Sequence, residues 1–270
     1  MYNATMNRIK VRGIEMAYDE AGSGTPVLLL HGFPFNRSMW DEQVAVLSSH
    51  YRVITPDLRG HGETTATDGP ATMDEMAQDV SALMEKLEIS RATVGGLSMG
   101  GYVALALYKR FPLRVRALML ADTRAQADTE EGRANREVQA EKGMREGMEV
   151  IADAMLPKLL SPETMTERPA IVARVREMIV NTQPEGAAAA QRGMALRSDQ
   201  LPFLWRIIAP TLIVVGREDA ITPVIDSERM HREIGGSRLQ VIEGAGHLSN
   251  VEQPEEFNRV LTKFLRDLEP

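Results

Sequence analysis

Ser98 lies between Gly96 and Gly100 in the decapeptide Thr-Val-Gly-Gly-Leu-Ser-Met-Gly-Gly-Tyr of residues 93–102. Residues 92–96 read as a short strand, and residues 102–108 carry a run of good helix formers. Glycine on both sides lets strand and helix approach closely at a sharp turn. The Gly-x-Ser-x-Gly spacing is that of a serine whose hydroxyl is held exposed at the end of a sheet. A glycine-rich turn ahead of a buried helix fits the same pentapeptide, so the rest of the chain must decide.

Serine is a weak nucleophile at neutral pH and needs a general base within hydrogen-bond reach and a third group to orient that base. Of five histidines, His31 and His61 belong to glycine-rich loops, His50 ends a helical stretch, and His231 sits in a polar helical one. His247 alone follows a C-terminal strand on a glycine-rich loop, Gly244-Ala245-Gly246-His247, and is the candidate base. Two carboxylates stand at strand ends, Asp219 and Asp122. Asp219 supplies the chain order Ser, Asp, His that suits an elbow serine; Asp122 is the reserve, and Asp219 could instead cap the helix after Thr222-Pro223. An oxyanion needs two aimed donors. The N–H of Met99, after the serine, is one; His31-Gly32-Phe33-Pro34 offers the other through Phe33, since Pro34 has no N–H.

The elements that must position these groups follow from periodicity. Residues 9–11 and 14–18 suggest an opening hairpin around Gly13, and residues 27–30, 52–55, 115–121, 211–215 and 238–242 add further strands. The continuous apolar run at 27–30 suits a strand covered on both faces. Helices are expected over 38–47, 73–87, 224–234 and from Pro254 to the end, where Phe257, Val260, Leu261, Phe264 and Leu265 repeat at intervals of three and four. Alternating strands and helices predict an α/β fold with a parallel sheet. From Arg124 to about Gln200 no strand run occurs. Met144, Met148, Ile151, Ala152 and Met155 form one helical stripe, and Ile171, Val175, Met178 and Ile179 another. This helical insertion is too long for an ordinary connection and suggests a lid or binding element, or simply extra packing helices. Its methionines, with Met165 and Met194, could line an adaptable pocket or pack helix on helix.

With 270 residues and 43% hydrophobic content, the chain can bury one large core. The net charge of -7 is spread over interspersed residues, with no basic block to suggest a nucleic-acid partner. There are no cysteines, which excludes disulfides, thiolate metal sites and a cysteine nucleophile. No metal cluster or phosphate loop is evident, so no cofactor is expected. The first residues lack the apolar core of a signal peptide and no segment has the apolar length of a membrane span, so a cytoplasmic location is expected.

His31-Gly32-Phe33-Pro34, Asp57-x-Arg59-Gly60-His61-Gly62, Gly96-Leu97-Ser98-Met99-Gly100-Gly101, Gly216-Arg217-Glu218-Asp219 and Gly244-Ala245-Gly246-His247 occur in that order. Together they resemble the signatures of the α/β-hydrolase fold superfamily, over essentially the whole chain. Within it the chain is most similar to small bacterial serine hydrolases of the 3-oxoadipate enol-lactonase, carboxylesterase and cofactor-free haloperoxidase type. Leu97 departs from the histidine that many such proteins carry before the nucleophile. The resemblance implies an eight-stranded, mostly parallel sheet, with residues 1–123 and 201–270 as core and 124–200 as a helical cap inserted after the sixth strand. It implies hydrolysis of a small-molecule ester or lactone through Ser98, Asp219 and His247. A hydroxynitrile-type lyase, a perhydrolase and a non-enzymatic ligand receptor are the alternatives. A helical cap over a serine site suggests a small enclosed acyl pocket, and the aromatic content of 5% gives no sign of a broad stacking surface for large aromatic or polymeric substrates. A carboxylated substrate would also need a fixed cation, for which Arg124, Arg192 and Arg197 are candidates.

Overall fold

Strands that are apolar on both faces have to lie between layers of helices, because neither face can meet water. The computed structural model describes residues 5–269. Its strands are β1 (Thr5–Val11), β2 (Ile14–Ala21), β3 (Thr25–Leu30), β4 (Tyr51–Pro56), β5 (Ala92–Leu97), β6 (Val115–Ala121), β7 (Thr211–Gly216) and β8 (Arg238–Ile242). They form one eight-stranded sheet in the order β1-β2-β4-β3-β5-β6-β7-β8. β2 pairs antiparallel with β1 and β4, and the remaining pairings are parallel. This is the mostly parallel α/β sheet that the resemblance implies. Every residue of β5 and β7 is buried, so both faces of the sheet are covered.

The helices before β6 are α1 (Asp41–Leu47), α2 (Met73–Lys86) and α3 (Met99–Arg110). Between β6 and β7 lie α4 (Glu130–Glu146), α5 (Met148–Leu159), α6 (Pro162–Glu167), α7 (Pro169–Val180) and α8 (Pro184–Ala195). The chain closes with α9 (Val224–Glu233), α10 (Ser249–Glu252) and α11 (Pro254–Arg266). Thr72 and Glu75 start α2 with a reciprocal capping box, each side chain accepting from the other's backbone N–H. α11 buries the apolar stripe read from its sequence, with Phe257 packed 6.2 Å, centroid to centroid, from Trp40.

Three local readings change. The stripe from Met144 to Met155 belongs to two helices, because Gly147 at φ +87 breaks the run: Met148, Ile151 and Ala152 are buried on α5, while Met144 on α4 is exposed. Residues 38–47 divide into a 3-10 turn, Arg37–Trp40, and α1, which leaves His50 beyond the helix end. The helix after Ser98 begins at Met99, one residue past the serine.

The inserted helices are pinned to loops at the carboxyl ends of the strands and along the neighbouring surface. Ala71 N–H donates to Ala189 O in α8 (2.9 Å), Thr182 Oγ1 to Pro34 O (2.5 Å), and Arg174 Nη2 to Ser38 O (2.9 Å). At Gly193 the backbone of α8 comes so close to the core that a Cβ would lie 1.7 Å from Ala71 O. Gly193→Ala is therefore expected to destabilise the protein by about 1–3 kcal/mol, the usual cost of overpacking. Gly235→Ala, where nothing lies within 4 Å, serves as control. Equal thermal midpoints for the two variants in calorimetry would contradict this account of the docking.

Candidate active site

Ser98, Asp219 and His247 come from loops after β5, β7 and β8, which parallel pairing brings to one end of the sheet. Ser98 occupies φ 52, ψ -112, an unusual conformation for a residue with a side chain. The turn is enforced by the two glycines: a Cβ at Gly96 would lie 2.1 Å from Gly100 O, and one at Gly100 would lie 2.1 Å from Leu30 O. Ser98 N–H donates to Ala121 O (2.9 Å), and Thr123 Oγ1 donates to Ser98 O (2.8 Å), so the elbow is also held from β6.

His247 Nε2 is 2.8 Å from Ser98 Oγ, and its Nδ1 is 2.8 Å from Asp219 Oδ2. The Asp219 carboxylate can only accept, so Nδ1 carries the proton and Nε2 is left to accept from the serine hydroxyl. The other Asp219 oxygen, Oδ1, accepts from Ile221 N–H and Thr222 N–H, both at 2.8 Å, and Thr222 Oγ1 donates to Oδ2 at 2.8 Å. Asp219 thus caps its own turn; the helix that follows, α9, has Pro223 at its N-cap. Burial of Asp219 opposes ionisation, but His247 and the Thr222 donors outweigh it and hold the carboxyl below its ordinary 3.8. Burial likewise disfavours a charged His247, yet Asp219 prevails and raises the imidazole above its ordinary 6.5.

Asp122, at the end of β6, is not hydrogen-bonded to His247 in this arrangement. Its Oδ1 accepts from Gly216 N–H (2.8 Å) and its Oδ2 from Ser249 Oγ (2.5 Å), which ties β6 to the turn before Asp219 and to the segment after His247. Burial, together with the nearby Asp219 charge, pushes its pKa up to about 8.

The N–H groups of Phe33 and Met99 find no backbone acceptor in the surrounding turns. The loop before Phe33 is braced by His31. Its Nε2 accepts from Leu58 N–H (2.9 Å), so Nδ1 holds the proton and donates to Gly32 O (2.9 Å). Burial lowers His31 to about 4 and His61, 5.1 Å away ring to ring, to about 3, so both rings are neutral at pH 7. His50 and His231 are exposed and bond to Ser49 and Ser237.

Of the three candidate cations, Arg192 pairs with Glu137 on the exterior (2.5 Å). Arg197 is buried against Asp128 (2.7 Å) and stacks 4.2 Å from the Tyr102 ring centroid. Arg124 also meets Asp128 (2.9 Å), lies close enough to His247 to act on its charge, and borders a cavity of about 200 Å³. That cavity, lined also by Thr72, Tyr102, Arg197 and Gln200, does not reach Ser98. A second void, of only about 10 Å³, separates Phe33 from Ala140, Gly143, Met148, Ile151 and Ala188. Sequence reasoning missed Arg136, which shares Asp128 with Arg197, and Glu252, which is buried beside the His247 loop. An isolated carboxylate five positions after a histidine carries no recognisable spacing.

The fold and this arrangement define an α/β hydrolase. A family model described as alpha/beta hydrolase fold matches residues 25–254, and the chain belongs to that family. The chain is 34% identical, over 86% of its length and 85% of the relative's, to 3-oxoadipate enol-lactonase 2 of Acinetobacter baylyi. Among solved structures it resembles a thermophilic esterase from Thermogutta terrifontis, determined with malate bound, at a TM-score of 0.95 and 42% identity, covering 99% of this chain and 100% of that one. The enol-lactonase of Burkholderia xenovorans LB400 superposes at 0.90 with 33% identity over 96% and 100% of the two chains. Among the described residues no helix is long and apolar enough to cross a membrane.

The two acids are expected to behave differently. Asp219→Asn places an amide against Nδ1, favours the wrong tautomer, and should lower kcat on a simple ester by about 10⁴-fold. Asp122→Asn resembles the protonated form that Asp122 already holds at neutral pH, and its loss should stay below about tenfold. Steady-state kinetics of both variants with p-nitrophenyl acetate decide this, and a reversed order would make Asp122 the orienting acid.

Proposed function

We propose that the protein is a serine hydrolase that cleaves carboxylic esters or small lactones through an acyl-enzyme on Ser98. The observation that carries this reading is the continuous Ser98–His247–Asp219 hydrogen-bond chain, with 2.8 Å at each link. Ser98 Oγ attacks the acyl carbon as its proton passes to His247 Nε2. The N–H groups of Phe33 and Met99 receive the developing oxyanion. His247 then protonates the leaving oxygen, and water, deprotonated by the same nitrogen, releases the acid. Asp219 holds the productive tautomer and stabilises the imidazolium.

Residues 1–123 and 201–270 act as the hydrolase core in this reading, and 124–200 as a cap that encloses the acyl group. The inserted helices pack closely against Phe33, with a void of only about 10 Å³ between them, which leaves little room there for a long acyl chain. A carboxylated lactone is a second reading, supported by similarity to a 3-oxoadipate enol-lactonase and to a further enol-lactonase, and by Arg124 beside the site. The family likeness suits an enzyme acting on small molecules.

Ser98→Ala and His247→Ala should each abolish ester turnover by about 10⁴-fold or more while the protein stays folded. The wild-type kcat/KM should fall as pH drops through a midpoint above 6.5, because the raised His247 pKa keeps the base protonated to higher pH. A midpoint well below 6.5 would contradict that balance of charges.

For the acyl side, catalytic efficiency is expected to fall steeply from p-nitrophenyl acetate and butyrate to octanoate and laurate. A preference for laurate would refute the small pocket. Turnover of 3-oxoadipate enol-lactone that drops about tenfold or more in Arg124→Met, with acetate hydrolysis retained, would support the carboxylated substrate. Failure on the lactone with good acetate turnover would favour a general esterase.

A further inference from the structure

The loop carrying His247 is anchored to the inserted helices as well as to the sheet. His247 N–H donates to Leu159 O, at the end of α5 (2.9 Å). Glu252 in α10 is wholly buried, and its two oxygens serve different parts of the molecule. Oε1 accepts from the N–H of Gly246, the residue before His247 (2.7 Å). Oε2 accepts from the N–H of Ser161, the residue that caps α6 (2.8 Å). Arg168 Nη1, between α6 and α7, donates to the Glu252 carbonyl (2.6 Å). The contact is close: a Cβ on Gly246 would lie 2.9 Å from Ser161 N and 3.0 Å from Leu159 O.

A carboxylate removed from water must keep strong donors on its oxygens. Lifting the α5–α6 corner from the core would strip Oε2 of its Ser161 donor and His247 N–H of its Leu159 acceptor together. We propose that Glu252 is a positioning residue that makes the placement of His247 beside Ser98 depend on docking of the α5–α6 corner. The inference builds on the assignment of His247 as general base. Its consequence is that the base is aligned when the inserted helices are closed over the site and misaligned when they lift. A misplacement of about 1 Å can cost about a hundredfold in rate.

Glu252→Gln preserves volume and one acceptor but presents an NH₂ group to one of the two N–H donors. With p-nitrophenyl acetate, kcat should fall about ten- to a hundredfold while KM stays within about twofold. In ¹⁵N-histidine-labelled protein, the His247 Nδ1 proton should exchange with water faster than in wild type. A second pair of variants guards against misfolding. Ser161 has φ -62 and ψ 153, which proline accommodates, so Ser161→Pro removes the insertion's N–H and sets a ring carbon against Glu252 Oε2, parting the corner from the loop. Ser161→Ala controls for loss of the α6 cap. Ser161→Pro should turn over at least about threefold more slowly than Ser161→Ala. Wild-type kcat or unchanged Nδ1 proton exchange in folded Glu252→Gln overturns the proposal, as does equality of the two Ser161 variants. The exchange measurement needs no turnover. If Ser98→Ala left hydrolysis intact, the assignment of the nucleophile would fail, while the Glu252 linkage would still be decided by proton exchange.

Discussion

A carboxylate and an imidazole buried side by side are tolerated only when the remaining lone pairs and protons of both are met, because unpaired charge in a low-dielectric interior costs several kcal/mol. Asp219 meets that condition with donors from Ile221, Thr222 and His247, and is only 4% exposed. The architecture around it supplies the donors. β7 delivers Asp219 at its carboxyl end, the following turn folds back so that two backbone N–H groups point at Oδ1, and β8 brings His247 alongside. With the ring so oriented, Nε2 faces Ser98, whose strained turn is held by contacts from Gly96 and Gly100 that leave no space for a side chain.

Three buried carboxylates surround the His247 loop, and their environments separate their roles. Asp219 is held ionised by its partners. Asp122, within reach of the same charge, is pushed up to about 8 and binds strand ends together as a largely neutral group near pH 7. Burial contributes most to that rise, and repulsion from the nearby Asp219 charge adds to it. Glu252 faces backbone N–H groups from both the loop and the inserted helices.

The arginines beneath the inserted helices belong to a network centred on Asp128, whose pKa burial alone would raise but which hydrogen bonds from Arg136 and Arg197 hold far below the usual range. Arg124 and Arg197 both pair with Asp128 and both border the cavity; Arg124 is the less buried of the two, its side chain 28% exposed against 5%, and its charge also acts on His247.

The residues alone determined the alternation of strands and helices, the serine turn, the glycine-rich loop bearing His247 and the long strand-free insertion, because each leaves a local pattern: a period of two or 3.6, or glycine where no Cβ fits. They also left Asp219 and Asp122 as the two candidates for a carboxylate beside His247. Which acid touches the ring was decided by the tertiary structure, since both end parallel strands and only the paths of the turns after β6 and β7 distinguish them. The division of the methionine stripe into two helices depended on the backbone adopted at Gly147. Asp128 and Glu252 were invisible in the sequence for a related reason. Asp128 gathers Arg136 and Arg197 from 8 and 69 positions away, and Glu252 reaches Ser161 across 91 positions. A hydrogen bond between groups that far apart leaves no periodic trace, and it exists only once the inserted helices have docked against the strand ends.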